Sequence, residues 1–558
     1  MVKKIFGFFG RETQALNQAA LLLGFFSFFS LLLAFLRDRL LAHIFGAGIE
    51  LDIYYAAFRI PDFIFVTVAS VVSLSVLIPF IIEKDLESRA ALREFIDSIF
   101  SFFGLLIVVV SLTAYFLMPW IADLLFKGMT SPALEKLIFL SRLMLFSPII
   151  LGFSNLFGSL TQAFNRFTLY ALAPLLYNLG IILGIVFLGK GLGTTGIGIG
   201  VVAGASLHAL IQVPFLIKSG LFPRFTLRFS AVLIGRIAAI SFPRTITLAM
   251  SSITLLFLTS FASLMSQGSI SVLSFSINLQ SVPLSLIGVS YSLAAFPTLS
   301  RRFREKNLEA FLEQMTTTAR FIIFWSLPLT ALLIVLRAQV VRVVLGTGLF
   351  DWNDTRLTAA ALALFVLSST FQCLLLLFMR GFYSAGITRK PFFITLFSTA
   401  FLLAVTYGLV KFFYLSDLFR YFVGVLLKVD DLPNTAVLML PLAFSLGTIL
   451  NAVVLWVAFE REFAGFTRSV ARTFLETFGA AVIMGTIAYF ALDMFDNIFN
   501  TATLLGLFSQ GLLASVFSIA AGILVFIGLK SKEIAGVWEV IHGRFWKAKV
   551  IATDPEIV

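Results

Sequence analysis

The sequence predicts an all-α polytopic membrane protein: fourteen transmembrane helices, forming two parallel six-helix lobes plus two C-terminal helices. Three observations predict it. Apolar residues make up 59% of the 558 positions and charged residues only 13%. A soluble domain carries about 25% charge and could not bury so much hydrocarbon. The apolar residues also fall into runs long enough to cross a bilayer, which takes ~20 residues of helix. Lysine and arginine concentrate in alternate connections between those runs. The net charge of +12 would suggest nucleic acid in a soluble chain; here it reports loops that obey the positive-inside rule.

Applying that length places spans 1 to 6 at 17–36, 53–82, 95–121, 137–163, 168–189 and 195–217. Spans 7 to 12 follow at 237–262, 270–299, 310–336, 357–386, 391–412 and 435–459, and spans 13 and 14 at 473–494 and 500–529. Several exceed the minimum and are expected to tilt or project. Pro61, Pro148, Pro243, Pro283 and Pro328 lie inside spans, where neighbouring helices can satisfy the freed carbonyls. Lys3, Lys4 and Arg11 precede span 1, and no small-residue cleavage site follows a short apolar stretch. Span 1 is therefore expected to be an uncleaved membrane helix. With the N-terminus inside, cytoplasmic segments hold 26 Lys and Arg and external segments 11. The other four, Arg59, Arg142, Arg244 and Arg320, lie within spans. This bias predicts both termini in the cytoplasm. The one cysteine, Cys373, sits in an apolar run, so no disulfide framework or cysteine metal site is expected.

An internal repeat sets the domain organisation. Residues 145–164 match 364–383 at a constant offset of 219, and Pro79 matches Pro297 at 218. Pro61 falls near Pro283 at 222, and Gly204, His208 and Ala209 match Gly447, Asn451 and Ala452 at 243. The order is kept over six helices, so spans 1–6 (1–222) and 7–12 (223–460) read as two copies of one bundle. Each copy crosses an even number of times, which makes the repeats parallel. Transporters built this way bind substrate between the halves. Spans 13 and 14 (461–530) and a cytoplasmic tail (531–558) lie outside the duplication.

The stretch from Ala34 to Pro79 carries the densest polar signal. Arg37, Asp38, Ala42, Phe45-Gly46-Ala47-Gly48 and Asp52 precede Ala57-Phe58-Arg59-Ile60-Pro61. Span 1 is expected to end at the charged Arg37-Asp38-Arg39. Further motifs are Asn165-Arg166-Phe167 with Ala171, Pro174 and Asn178; Gln212-x-Pro214; and Phe296-Pro297-x-Leu299-Ser300. Gly346-x-Gly348-x-Phe350-Asp351 and Arg380-Gly381-Phe382-Tyr383 with Lys390-Pro391 complete the set. This ordered set, over about residues 17–530, resembles the MviN/MurJ family of lipid II flippases. The resemblance implies the fourteen-helix fold of the multidrug/oligosaccharidyl-lipid/polysaccharide exporter superfamily. It also implies movement of a polyprenyl-diphosphate-linked glycopeptide to the outer leaflet of the bacterial inner membrane.

The family's central cavity carries several arginines, suited to a diphosphate because guanidinium pairs bidentately with phosphate oxygens. Arg37 matches one of them. Others fall on Leu31, Phe65, Val66 and Asn278, and family glutamates on Ser70 and Ser281. Arg37, Arg59 and Arg244 are the expected diphosphate ligands, with Arg244 replacing part of the missing charge. Each also has a plainer reading. Arg37 could snorkel or pair with Asp38, Arg59 could simply face protein, and Arg244 could pair with a carbonyl freed by Pro243. Asn278 and Gln280 are candidate sugar or peptide contacts, or inter-helix glue. Asp52 is a candidate coupling group, against a helix cap favoured by the dipole. Arg142 and Arg320 read as structural, and His208 and Asn451 as packing. Leu415 to Val429 reads as an amphipathic surface helix.

No catalytic constellation accompanies these residues. His43, His208 and His542 are far apart, and no H-E-x-x-H or Walker loop occurs. The glycine run at 191–200 lacks a strand–helix context. The expected protein is thus not an enzyme and needs no cofactor, metal or nucleic acid; it works as a monomer in the bilayer. The rivals are a flippase for another polyprenyl-diphosphate-linked glycan, a non-transporting scaffold, a drug/cation antiporter and an intramembrane glycosyltransferase. Span 1 lacks the carboxylate an antiporter would use, and only Asp430-Asp431 offers an acidic pair for the last.

Overall fold

Backbone amides that cannot reach water must pair within their own segment, and the described residues of the expected spans are predominantly helical. The structure, a computed structural model, describes residues 16–536 apart from 72, 73, 228, 230 and 502. Helices α1 (Leu16–Phe45), α2 (Ile49–Val71), α3 (Leu74–Glu87) and α4 (Arg89–Leu125) come first. They are followed by α5 (Ser131–Met144), α6 (Phe146–Ala163), α7 (Phe167–Leu183), α8 (Thr194–Leu210) and α9 (Val213–Lys218). Then come α10 (Ala231–Ser263), α11 (Ser269–Pro283), α12 (Ser290–Arg304), α13 (Leu308–Val335) and α14 (Arg337–Leu345). The chain ends with α15 (Trp352–Val366), α16 (Ser369–Ser384), α17 (Arg389–Leu415), α18 (Asp417–Leu427), α19 (Met439–Glu462), α20 (Phe466–Asp496) and α21 (Leu504–Gly528).

Among the described residues, ten helices are long and apolar enough to cross a membrane, or eleven with the bent pair α15–α16 counted as one. The other expected spans fall on α1, on α2 with α3, and on α10. Two departures from the sequence reading have local causes. Span 1 does not stop at Arg37-Asp38-Arg39; α1 runs two further turns, because those charges find partners inside the protein. Span 10 is bent by 41° between α15 and α16. There the Ser368 hydroxyl takes the Phe365 carbonyl, a side-chain bond that competes with the helical ladder. Leu415 to Val429 does form a short helix, α18, with Leu418, Tyr421, Phe422 and Leu426 exposed.

The chain divides into two units. The first holds residues 1–279, 344–364 and 388–447. In it α7 packs on α8 and α1, and α2 packs on α10 and α5. The α7–α8 crossing depends on glycine. A Cβ on Gly180 would stand 2.3 Å from the Gly204 Cα, and one on Gly184 would stand 2.5 Å from the Gly200 Cα. Small residues let membrane helices approach closely enough to gain dispersion contacts that lipid cannot match. The glycine run that lacked a nucleotide-loop context thus serves packing. In the second unit (280–343, 365–387, 448–558), α13 packs on α20, and α20 on α21.

Asp52 ties two parts of the first unit together. Its carboxylate accepts from the Gly268 N–H (2.6 Å), the Ser271 N–H (2.7 Å) and the Ser271 hydroxyl (2.6 Å). It therefore caps a helix, but that helix is α11 rather than its own α2, with its negative charge at the positive end of the dipole. Gly268 has φ +88, and a Cβ there would meet the Ala47 carbonyl oxygen at 2.2 Å. Asp52→Ala should destabilise the protein by roughly 3 kcal/mol, since buried donors lose a charged acceptor; thermal unfolding in detergent measures this. Gly204→Leu should cost roughly 1–3 kcal/mol by overpacking, while Gly191→Ala, with open space around it, should leave the melting temperature unchanged.

Candidate functional site: charges inside the first unit

Charges in hydrocarbon are retained where something compensates them, so the site is best built from its pairs. On α1, the Arg37 Nε and Nη2 donate to Asp38 Oδ1 at 3.0 and 2.8 Å. Arg37 Nη1 donates to Asn178 Oδ1 on α7 at 3.3 Å. Asn178 is itself held, donating to the Ser30 hydroxyl and the Pro174 carbonyl. Asp38, only 3% exposed, accepts at its other oxygen from Asn278 Nδ2 on α11 at 2.9 Å. Two expected site residues, Arg37 and Asn278, are therefore joined through a third that the sequence reading treated only as a partner. Arg37 enters this network already neutralised.

Arg59 is arranged differently. Its Nε donates to the Thr259 hydroxyl on α10 at 3.0 Å and its Nη2 to the Ser274 hydroxyl on α11 at 3.3 Å. Both partners are neutral, and two of the five guanidinium donors are used. Among the described residues no carboxylate lies within ion-pair distance of it. The Asp62 charge, one turn further along α2, acts on Arg59 from beyond ion-pair distance. Tyr54, Tyr55 and Tyr177 complete the surroundings; Tyr54 and Tyr55 act electrostatically on Arg37, and Arg37 on Tyr177. These phenols were missed in the sequence, where the adjacent Tyr54-Tyr55 inside an apolar span was the available signal.

The other expected residues lie elsewhere. The three hydrogen bonds of Asp52 are structural. Arg244 lies on α10, and its side chain is outside the described residues. Gln280 belongs to the second unit, where its Nε2 donates to Gln372 Oε1 at 3.0 Å and Gln372 donates to the Ser368 hydroxyl. Arg142 lies over the Tyr115 ring and donates to the Tyr115 carbonyl, and Arg320 donates twice to the Ser469 carbonyl. The His208 ring meets the Ser154 hydroxyl at 2.7 Å. Arg356 grips Asp431 with both terminal nitrogens and holds its carboxyl below the usual range.

The second unit contains an apolar groove of about 1140 Å³. Leu286, Trp325, Leu329, Ile519 and Ile523 line it, drawn from α13, α21 and the turn after α11, together with Lys530. A groove with almost no polar wall accepts a hydrocarbon chain and rejects a hydrated headgroup.

The family model described as "Lipid II flippase MurJ" matches residues 41–509. A relative from Rickettsia prowazekii named "Probable lipid II flippase MurJ" is 24% identical over 389 residues, which cover 69% of this chain and 76% of that one. A solved structure named "Lipid II flippase MurJ, inward closed conformation" superposes with a TM-score of 0.70 at 21% identity, covering 93% of this chain and 99% of that one. An inward-facing multidrug transporter of the MATE family, from the MOP superfamily, superposes with a TM-score of 0.65 at 17% identity, covering 78% and 96%. These two likenesses establish the fold. The fold, the half-buried arginines and the match over most of the sequence lead to one conclusion: this chain is a multi-pass membrane protein belonging to the lipid II flippase MurJ family.

Proposed function

We propose that this protein moves lipid II, a polyprenyl-diphosphate-linked peptidoglycan precursor, from the inner to the outer leaflet of the bacterial cytoplasmic membrane. It does so by alternating access, as a monomer with both termini in the cytoplasm, and it catalyses no covalent step. The observation that carries the reading is Arg59, a guanidinium deep in a membrane helix, positioned by two hydroxyls and paired to no carboxylate. A diphosphate supplies the direct ion-pair partner that Arg59 lacks, through bidentate bonds that a lysine could not reproduce. The duplication assigns the moving parts to the lobes 1–222 and 223–460, whereas the two compact units divide the chain by packing.

Arg37 is a secondary ligand. Asp38 must release it before it can serve a phosphate, so its contribution is smaller. Asn278 holds Asp38 and acts on the substrate only through that network. Arg244 remains a proposed third ligand, and Gln280 a proposed contact to the sugar or peptide. The polyprenyl tail lies in the groove beside α21 while the headgroup crosses. A flippase for a different polyprenyl-diphosphate-linked glycan is the second reading. It is favoured by the Asp38–Arg37 pair, which leaves fewer free cations than lipid II flippases carry in the family pattern.

Replacement of an essential lipid II flippase in a depletion strain tests the function. The unmodified chain should restore growth, and its failure despite correct insertion would transfer support to the second reading. Arg59→Ala should reduce flipping in vesicles at least tenfold, Arg59→Lys should keep part of it, and Arg37→Ala should reduce it less than Arg59→Ala does. Ile523→Asp, which puts a charge into the apolar groove, should impair transport of a long polyprenyl substrate more than of a short-chain analogue, read by the same vesicle assay.

A further inference from the structure

One helix of the first unit is too short to cross a bilayer and too apolar to stand in water. α18 has 11 residues, about 16 Å, against the ~30 Å that a span covers. Only Ser416 separates it from α17, and that serine caps it by accepting from the Phe419 N–H. α17 itself has 27 residues, about 40 Å, so α18 begins where the chain leaves the hydrocarbon. The Phe419 ring turns back onto the Phe412 and Phe413 rings, at 4.8 and 6.4 Å between centroids.

At 100° per residue, Tyr421, Val425, Leu418, Phe422 and Leu426 fall within an arc of about 140°. All five are exposed, whereas Val423, Gly424 and Leu427 on the other side are buried. Asp417 and Arg420 lie outside the arc and pair with each other. The far end of the helix is pinned. Lys428 takes φ +60, and the Val429 N–H donates back to the Gly424 carbonyl at 2.8 Å. A Cβ on Gly424 would stand 2.9 Å from the Asp430 Cα. From α15, Arg356 donates to the Lys428 carbonyl at 2.6 Å and grips the Asp431 carboxylate with both terminal nitrogens. This mount holds the apolar arc outward.

Two observations say what covers that arc. It continues onto the last turn of α17, where Phe412, Tyr414 and Leu415 are exposed; α17 is long and apolar enough to be a span, so its exposed apolar side chains face lipid. Three of the 11 tyrosines in the chain, Tyr407, Tyr414 and Tyr421, are exposed in this one stretch, and such rings gather where acyl chains meet headgroups. We propose that α18 is an interfacial anchor: its apolar arc lies in the acyl boundary of the outer leaflet, with Asp417 and Lys428 among the headgroups. Through the Arg356 clasp it fixes the depth of α15. From Lys411 to Asp431 there are three basic and three acidic residues, so apolar burial drives insertion and anionic lipid is not required. The choice of leaflet rests on the topology proposed above; insertion itself does not.

The experiment places nitroxide labels on Phe422→Cys, Leu426→Cys and Asp417→Cys in the purified full-length protein, reconstituted into phosphatidylcholine vesicles. Cys373 is buried, so the unsubstituted protein should take no label. The ratio of oxygen to water-soluble nickel relaxation should be at least threefold higher at positions 422 and 426 than at 417. All three variants should melt like the wild type in detergent; Leu418→Cys replaces either apolar variant that does not. Labels at 422 and 426 as open to nickel as the one at 417 overturn the anchor. Labels closed to both reagents show a second copy or a bound protein on the arc, and overturn it equally. Added phosphatidylglycerol should leave the ratio unchanged, and insertion only in its presence overturns the apolar drive. Arg356→Ala should keep the ratio while sharpening the nitroxide lines, and unchanged lines overturn the clasp. In spheroplasts, a membrane-impermeant thiol reagent should modify Asp417→Cys. Protection of that cysteine overturns the outer-leaflet assignment and the topology, and leaves the depth measured in vesicles as it was.

Discussion

An ion inside a bilayer must be answered by another charge, by dipoles or by a ligand, and the first unit is organised by how it answers each of its own. Asp38 answers Arg37 directly. Asp52 is answered by the start of α11, two backbone amides and a hydroxyl, and becomes a structural tie. Arg59 is held by the hydroxyls of Thr259 and Ser274, and the Asp62 charge one turn away acts on it without forming an ion pair. The gradation matters because a fully paired guanidinium has little left to offer a substrate, whereas one held by neutral donors and acceptors keeps its field. Position and reactivity are thus separated: hydroxyls fix the side chain, and the lack of a direct ion pair leaves its remaining donors available.

Hydropathy made the spans legible, because twenty consecutive apolar residues admit few other structures. What it could not show were the places where a side chain competes with the helix. The bend after Val366 arises from a serine hydroxyl bonding its own chain, and no proline or glycine announces it. The end of α1 was misplaced for the opposite reason. Three consecutive charged residues look like a membrane boundary in one dimension, yet Asp38 and Asn178 take up Arg37 within the fold, so the helix continues. The glycines of α7 and α8 were visible as a composition, while their meaning needed the partner helix.

The members of the candidate network were visible in the sequence, and their connections were not. Arg37, Arg59 and Asn278 could be chosen from depth and motif, but only the fold reveals that Asp38 lies between two of them. Asp52 illustrates the limit of local rules. An aspartate at the start of a helix is read as a cap for that helix, and nothing in the sequence says that a turn more than two hundred residues later presents the better donors. Long-range pairs of this kind are invisible to spacing because their geometry is made by packing.

Separating holding from neutralising has a consequence for transport itself. A carrier that bound its anion through an unshielded cluster of arginines would hold it tightly in both leaflets and release it slowly, since a ligand bound equally in two states shifts neither. Pairing Arg37 with Asp38 weakens the field of the proposed site without removing the group that shapes it, and Asn278 holds the aspartate in place. In the transport reading proposed above, release requires breaking contacts to one dominant guanidinium rather than to several. The thinner set of arginines in this chain thus need not disable a flippase: it exchanges affinity for turnover, and the remaining polar network keeps the geometry that affinity alone would otherwise have to supply.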